Sequence, residues 1–210
     1  MNAPERIHFY FDPICPWAWL TSRWATRLEE LGEVELEWRL FSLGVANLPE
    51  GQEPPDEPIG SSGPLLQLLA RARRVGGNEA VARLYTAMGE AAHVRQEELS
   101  DAAVLAPVLE EAGLPAGDLE SLVDDRSLWE SVLEDHRQAV SSGEAFGVPT
   151  LILDAGQGPG IFGPVITEVP GDEESRALLQ HVLGITRMSN FFELKRDRSG
   201  HPAKTGAREL

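Results

Sequence analysis

Residues 7–20 decide the fold, and they read Ile-His-Phe-Tyr-Phe-Asp-Pro-Ile-Cys-Pro-Trp-Ala-Trp-Leu. Residues 7–11 are mostly aromatic or β-branched and stop at an Asp-Pro pair, which predicts a strand. Residues 17–31 contain neither Gly nor Pro and carry apolar residues at helical spacing, which predicts a helix. Cys15 lies between the two elements, and Pro16 suits the first turn of a helix because its missing N–H would have no partner there.

The position of Cys15 predicts a reactive thiol. Its sulfur is expected close to the positive end of the helix dipole, which favours thiolate over thiol and is expected to lower the pKa from the free value of about 8.5. The alternative is a buried structural cysteine, which is the usual state of a lone Cys. The Cys-Pro start of a helix directly after an aromatic strand favours the reactive thiol.

Composition and charge exclude several classes of protein. The chain has 210 residues, of which 42% are hydrophobic, so it can bury a core as one domain or as a domain with a large insertion. The formal net charge of -16 argues against nucleic-acid binding, because no basic face would neutralise phosphates. No apolar run approaches the ~18 residues of a membrane span. The N-terminus lacks the basic and apolar regions of a signal peptide, and a single Cys excludes an intrachain disulfide. We therefore expect a cytoplasmic protein.

The chain after the first helix predicts a second strand and then a domain boundary. Gly32 ends the first helix. Residues 34–42 alternate between apolar and charged side chains over most of their length, as a half-buried strand does. Residues 49–63 are rich in Pro, Gly, Glu and Ser, which predicts a loop between domains.

Residues 64–142 carry only helical patterns. One helix is expected between a cap at Ser100 or Asp101 and its end at Gly113, and a short one at residues 119–123. Apolar stripes mark two more helices. Their members are Val81, Leu84, Tyr85 and Met88 in one, and Leu128, Trp129, Val132, Leu133, His136 and Val140 in the other.

Strand patterns return at residues 148–153 and again at 161–162 and 165–166, with a Gly-rich hairpin turn at 154–160. Asp172 is expected to cap a final helix. The order of strands and helices is that of an α/β protein with a thioredoxin fold, interrupted by an all-helical domain. The domain boundaries that follow are residues 1–48 and 143–210 for the thioredoxin-fold domain and 49–142 for the inserted helical domain.

In this fold, Val148-Pro149-Thr150 acquires a functional interpretation. A Pro at the start of a strand usually marks an edge. Beside a reactive thiol, a cis Val148-Pro149 bond would orient the backbone of Val148 to pair with an incoming thiol or peptide. Cis bonds are only about 5–6% of X-Pro bonds in folded proteins, so the expectation rests on the fold and the position.

Six segments lie in order along nearly the whole chain and together form a recognisable pattern. They are Phe11-Asp12-Pro13-Ile14-Cys15-Pro16-Trp17, Thr21-Ser22-Arg23-Trp24, Leu84-Tyr85-Thr86-Ala87-Met88-Gly89, Pro149-Thr150, Phe162-Gly163-Pro164-Val165 and Phe191-Phe192-Glu193-Leu194-Lys195-Arg196. This pattern resembles the DsbA family, specifically its actinobacterial mycothiol-dependent nitroreductase branch. The resemblance implies a thiol-dependent oxidoreductase with mycothiol or another low-molecular-weight thiol as cofactor, bound along Val148, Pro149 and Thr150.

One position departs from this family. The reductase motif of the family is Cys-Pro-Trp-Cys, whereas this chain has Ala18 in the fourth position, after Cys15, Pro16 and Trp17. A dithiol cycle is therefore excluded. In a monothiol cycle, the Cys15 thiolate would attack a mixed disulfide or an electrophile and be released by a second molecule of the small thiol.

Side chains around the turn supply candidates for the substrate pocket. Trp17 is interpreted as a wall of the pocket, beside Pro13. Trp19 also flanks the thiol, although it suits the core better. Asp12 is expected to accept hydrogen bonds from backbone N–H groups of the turn, which is favoured over a role as a base.

Four polar candidates lie further away. His8 and Tyr10 share one face of the first strand, and His136 lies on an apolar helical stripe. A histidine in such a position is usually a satisfied buried group, so a structural role is favoured, although the His136 helix can face the thiol across an interdomain cleft. Arg23 can pair an anionic cofactor group or be an ordinary ion-paired helix residue.

The function expected from these residues is thiol-dependent reduction of small disulfides, nitroaromatics or other electrophiles, with the substrate entering between the two domains. One alternative is an isomerase or transferase that resembles 2-hydroxychromene-2-carboxylate isomerases and kappa-class transferases, in which Cys15 activates a cofactor thiol without covalent attack. The other is a non-catalytic thiol-binding or chaperone-like module. No metal is expected, because one Cys and scattered His show no ligand spacing.

Overall fold

The sheet has four strands in the order β2-β1-β3-β4 within the computed structural model, which describes residues 3–114, 125–197 and 200–204. Strand β1 is parallel to β2, whereas β3 is antiparallel to β1 and β4 to β3. The strands are β1 (Glu5–Phe11), β2 (Val34–Leu40), β3 (Thr150–Ile152) and β4 (Gly160–Phe162).

Six right-handed α-helices and one π-helix surround the sheet in the described part of the chain, and a four-residue turn with left-handed residues, Leu153–Gly156, follows β3. Helix α1 follows β1 and packs on both α6 and the sheet. Helices α3, α4 and α5 come between β2 and β3, where the sequence predicts an inserted helical domain. The helices are α1 (Pro16–Glu30), α2 (Leu43–Ala46), α3 (Gly63–Gly89), the π-helix (Glu90–Val94), α4 (Ala102–Glu111), α5 (Arg126–Gly143) and α6 (Asp172–Thr186).

This architecture confirms the predicted α/β fold class, and most elements lie where the patterns place them. Residues 153–159 connect β3 to β4 as a hairpin, close to the predicted turn at 154–160. Asp101 caps α4, since its side chain accepts a hydrogen bond from the Ala103 N–H at 2.9 Å. The short helix expected at residues 119–123 lies outside the described residues, and the division into two domains stays a prediction.

Three details of the sequence interpretation are wrong. Residues 165–166 are not a strand, because Gly163, with φ of 104°, turns the chain away from the sheet after β4. Val140 is 46% exposed, because the buried face of α5 continues through Ala139. Asp172 is the first residue of α6 and not its cap. Its carboxylate instead accepts hydrogen bonds from Arg27 at 2.9 and 3.0 Å.

Strand β2 is an edge strand whose outward N–H groups are covered by side chains. A bare edge presents unpaired backbone groups to other chains. Here α1, the middle of α3 and α5 each supply one acceptor to the edge. The pairs are Leu36 N with Glu29 Oε1 at 2.8 Å, Trp38 N with Asn78 Oδ1 at 2.8 Å, and Leu40 N with Asp135 Oδ2 at 2.9 Å.

Asp135 also ties α5 to α3 and β2 through charge. Its side chain is buried, and one carboxylate oxygen accepts a hydrogen bond from Arg39 Nη1 at 3.1 Å. The other oxygen accepts one from Arg73 Nη1 in addition to the Leu40 N–H. A buried carboxylate is stable only when it is paired and hydrogen-bonded, and this one has both kinds of partner.

We predict that Asp135→Asn lowers the free energy of unfolding by about 3 kcal/mol, because it leaves two arginines without their shared counter-charge. Denaturation with guanidinium chloride measures the change. Glu134→Gln is the control, since this neighbouring carboxylate pairs with Arg137 in solvent, and its loss should change stability by no more than about 0.5 kcal/mol. Equal effects of the two substitutions would contradict the role given to Asp135.

Candidate functional site

Cys15 lies at the N-terminal end of α1, as the sequence predicts. It is the N-cap residue, in an extended conformation with φ of -82° and ψ of 110°, and Pro16 is the first helical residue. The Cys15 N–H donates to the Asp12 carbonyl at 3.0 Å, which closes a tight turn after β1. The turn therefore places the thiol at the positive end of the helix dipole.

The thiol faces the cis peptide bond that the sequence predicts. Cys15 Sγ lies 3.6 Å from the carbonyl oxygen of Val148, and the Val148-Pro149 bond is cis. Two hydrogen bonds hold this backbone segment in place. The Thr150 hydroxyl donates to the Gly147 carbonyl at 2.8 Å, and the Gly163 N–H donates to the Pro149 carbonyl at 2.8 Å.

The Asp12 carboxylate fixes the turn that carries Cys15. The Asp12 side chain is fully buried, and its carboxylate accepts hydrogen bonds from Ile14 N at 3.2 Å, Leu43 N at 2.9 Å and Ser62 Oγ at 2.7 Å. Burial raises the pKa of Asp12, and the three hydrogen bonds oppose that rise. The contacts suit the structural role expected for Asp12, since all three donors come from the protein itself.

His93 is a site residue that the sequence analysis missed. Its Nε2 donates to the Pro13 carbonyl at 2.8 Å, and its ring stacks on Trp19 with centroids 5.9 Å apart. Burial lowers the pKa of His93, and the hydrogen bond to Pro13 opposes that change. His93 lies in the π-helix, where one extra residue per turn shifts side chains out of the 3.6-residue period. No apolar spacing could therefore have indicated its direction.

The first turns of α1 divide into a partly exposed and a buried part. Trp17 is half-buried next to the thiol, whereas Ala18 and Trp19 have no exposed surface. A Cβ at position 89 would overlap the Trp19 indole, so Gly89 permits close packing of α3 on α1. Trp19 is thus a core residue, whereas Trp17 is partly accessible to solvent.

Arg23 is buried in the interior with an exposed fraction of 2%. Its guanidinium lies 4.1 Å from the centre of the Trp19 ring and donates to Ser22 Oγ and Thr86 Oγ1, both at 3.2 Å. Burial lowers the pKa of Arg23 to about 10. A cofactor anion could reach this guanidinium only if the packing of α1 on α3 opened.

His8 and Tyr10 are buried on the face of β1 that looks away from Phe9 and Phe11. His8 Nε2 pairs with Glu37 Oε2 at 2.9 Å, and burial is the main cause that lowers the pKa of His8. Burial likewise raises the pKa of Tyr10. Among the described contacts, those of His8 go to Tyr10, to Glu37 on β2 and to the turn after β3, and none goes to Cys15.

His136 packs against Phe41 with ring centroids 4.3 Å apart. It is 7% exposed, and no hydrogen-bond partner of its Nδ1 is found among the described residues. Burial, with a smaller effect of Arg137, lowers the pKa of His136 to about 4. A ring that is neutral and packed on an aromatic side chain fits the structural role favoured by the sequence.

No group of three or more His, Cys, Asp or Glu side chains within residues 3–114, 125–197 and 200–204 is arranged to hold a metal ion. None of the helices in those ranges is long and apolar enough to cross a membrane.

We predict that His136→Phe makes stability less sensitive to acid. The folded pKa of about 4 is below the unfolded value of about 6.5, so the contribution of neutral His136 is complete above pH 6.5 and is lost as the pH falls toward 4. Between pH 7 and pH 5, this group should account for a loss of about 2 kcal/mol. Urea unfolding at both pH values measures the difference.

His8 and His93 stay in this variant, so part of the acid sensitivity should remain. The exposed His181 on α6 offers the control His181→Phe, which should leave the dependence of stability on pH unchanged. An identical loss on acidification in the His136 variant and in the unmodified protein would rule out the assignment.

We predict that His93 is a positioning residue for the Cys15 turn. His93→Ala should slow alkylation of Cys15 by iodoacetamide about threefold to tenfold, the cost of one lost hydrogen bond. His93→Gln should restore part of the rate, because its amide can donate to Pro13. The plot of rate against pH shows whether thiolate formation or access has changed. His181→Ala is the control, and a wild-type rate in His93→Ala would refute this role.

Two comparisons of sequence assign the chain to a family. Residues 14–196 match the family described as Rv2466c-like, mycothiol-dependent nitroreductase Rv2466c. The uncharacterized protein Rv2286c of Mycobacterium tuberculosis (strain ATCC 25618 / H37Rv) is 32% identical over 204 residues, which cover 97% of this chain and 87% of that protein.

Solved structures of low sequence identity share the fold. A probable DsbA oxidoreductase, SCO1869, from Streptomyces coelicolor is 20% identical with a TM-score of 0.60, over 93% of this chain and 94% of its own. A 2-hydroxychromene-2-carboxylate isomerase is 16% identical with a TM-score of 0.60, over 85% and 94%. The cytosolic disulfide reductase DsbM from Pseudomonas aeruginosa with GSH is 17% identical with a TM-score of 0.58, over 85% and 99%.

Three observations agree. They are the fold, the position of Cys15 at the start of α1 beside a cis-proline, and the family match. The protein belongs to the Rv2466c-like family, described as mycothiol-dependent nitroreductase, and is a thiol oxidoreductase whose fold is shared with DsbA proteins.

Proposed function

We propose that Cys15 is the nucleophile of a monothiol reaction that uses mycothiol, or another low-molecular-weight thiol, to reduce small disulfides, nitroaromatics or other electrophiles. The observation that supports this proposal is the position of Cys15 Sγ at the start of α1, 3.6 Å from the Val148 carbonyl oxygen. A thiol in this position gains from the positive helix terminus as it ionises.

The residues around Cys15 fit a small thiol along one backbone edge. The Val148 carbonyl lies beside the thiol, and Trp17 supplies a partly exposed aromatic wall. The Thr150 hydroxyl and the Nε and Nη1 atoms of Arg23 already donate hydrogen bonds within the protein. We therefore place the bound thiol against Val148 and Trp17. Mycothiol would supply the reducing equivalents and the second sulfur that the chain lacks.

In the first chemical step, Cys15 is the one protein residue that reacts. Its thiolate attacks one sulfur of a disulfide substrate, so that a bond forms between that sulfur and Cys15 Sγ. The substrate S–S bond breaks in the same step, and the other half leaves as a thiolate. Cys15 is oxidised to a mixed disulfide, and the departing half is reduced.

Ala18 determines how this mixed disulfide is resolved. Cys15 is the single cysteine of the sequence, and Ala18 lies one helical turn further on, with no exposed surface. No side chain can displace the bound thiol, so Cys15 stays modified until an external thiol is present. This requirement, together with the family, supports a reducing cytoplasm as the site of the reaction.

Mutation at positions 15 and 18 tests the mechanism. Cys15→Ser should abolish the mycothiol-dependent reduction of a small disulfide, because a hydroxyl cannot form the mixed disulfide. Intact-protein mass spectrometry should detect one mycothiol adduct on the wild type and none on Cys15→Ser. In Ala18→Cys, the adduct should no longer accumulate, because the new thiol can close an internal disulfide.

The other two interpretations predict different results. An isomerase-like activity without covalent attack would survive in Cys15→Ser. A binding module would show no turnover with any combination of thiol and electrophile. Either outcome would reject the monothiol mechanism.

A further inference from the structure

Two stacked phenylalanines lie next to the backbone segment that faces the thiol. The rings of Phe146 and Phe162 have centroids 4.7 Å apart and planes inclined by 29°. Phe146 is nevertheless 73% exposed. Since Phe162 covers one face of its ring, this exposure leaves the opposite face to solvent. An aromatic ring held in place with an open face is a surface for stacking.

A short backbone segment connects the two phenylalanines to the residues that face Cys15. Phe146 precedes Val148 by two residues, and Phe162 is the register partner of Thr150 across the β3–β4 ladder. A Cβ at Gly147 would meet the Phe162 ring at 3.5 Å, so this ring lies against the backbone between Phe146 and Val148. The aromatic pair therefore lies next to the Val148 backbone, whose carbonyl oxygen faces Cys15 Sγ.

The charge of the chain indicates which rings this surface accepts. The formal net charge is -16, and the exposed Glu144 precedes Phe146 by two residues. The negative charge of the chain would repel an anionic ring, whereas it would not repel an uncharged ring.

We propose that Phe146 is a specificity-determining residue, whose open face stacks on the uncharged planar ring of an aromatic disulfide while the Cys15 thiolate exchanges with that disulfide. This inference rests on the proposed function and names its substrate class. Offset stacking adds about 0.5–1.5 kcal/mol beyond buried area, which corresponds to a preference of roughly twofold to tenfold.

Two uncharged disulfides test the preference without any cofactor. With 4,4′-dithiodipyridine, the Cys15 thiolate forms a mixed disulfide with one pyridine-thiol half, and 4-thiopyridone leaves and is followed by its absorbance. With 2-hydroxyethyl disulfide, the same exchange releases 2-mercaptoethanol, and mass spectrometry follows the adduct. The measured quantity is the ratio of the aromatic to the aliphatic rate constant in a single turnover. Intrinsic differences between the leaving groups cancel when this ratio is compared between variants.

Phe146→Ala should lower this ratio about twofold to tenfold, mainly through the aromatic rate constant. Phe146→Tyr should keep the wild-type ratio, since it keeps the open ring face. Phe192→Ala is the matched control, because Phe192 is 87% exposed and lies beyond α6. It should leave both rate constants unchanged.

An unchanged ratio in Phe146→Ala would overturn the inference, and so would an equal loss of both rate constants, which would indicate a damaged turn. An equal loss of the ratio in Phe146→Tyr would overturn it as well. If the wild type forms no Cys15 adduct with either disulfide, the proposed function itself fails, and the inference fails with it. That result is distinct from a wild type that reacts but shows no dependence on Phe146.

Discussion

The buried carboxylate of Asp12 is the constraint on which the site depends. It accepts hydrogen bonds from the Cys15 turn through Ile14, from the start of α2 through Leu43, and from the residue before α3 through Ser62. Each donor belongs to a different segment, and burial makes each bond costly to lose. The position of the thiol is therefore coupled to the segment between β2 and α3 as well as to β1.

The helices between β2 and β3 stabilise the sheet. They supply Asn78 and Asp135 to the open edge of β2, while His93 reaches the carbonyl of Pro13. Each contact replaces water at a backbone group that would otherwise be unpaired. The helices that follow β2 thus hold both the far edge of the sheet and the turn that carries Cys15, although they lie far from both in sequence.

The thiol site lies between the start of a helix and a backbone edge. The helix start at Pro16 provides the positive end of a dipole, and the Val148 backbone provides a fixed edge at 3.6 Å from the sulfur. With Ala18 in place of a second cysteine, the chain holds one thiol, so the proposed reaction takes its second reducing equivalent from an external thiol. That proposed reaction depends on how well the site positions its small partners, and the aromatic pair beside Val148 suits this task.

The sequence by itself determined the strand, the Cys15 turn and α1, because these depend on backbone preferences and apolar periods within a few residues. It also excluded an internal disulfide. Only the tertiary structure decided that Arg23 is buried, that His93 reaches the turn and that Phe146 keeps an open face. These outcomes depend on contacts between residues far apart in sequence and on a π-helix that breaks the helical period. No local pattern encodes which distant surface a side chain will meet.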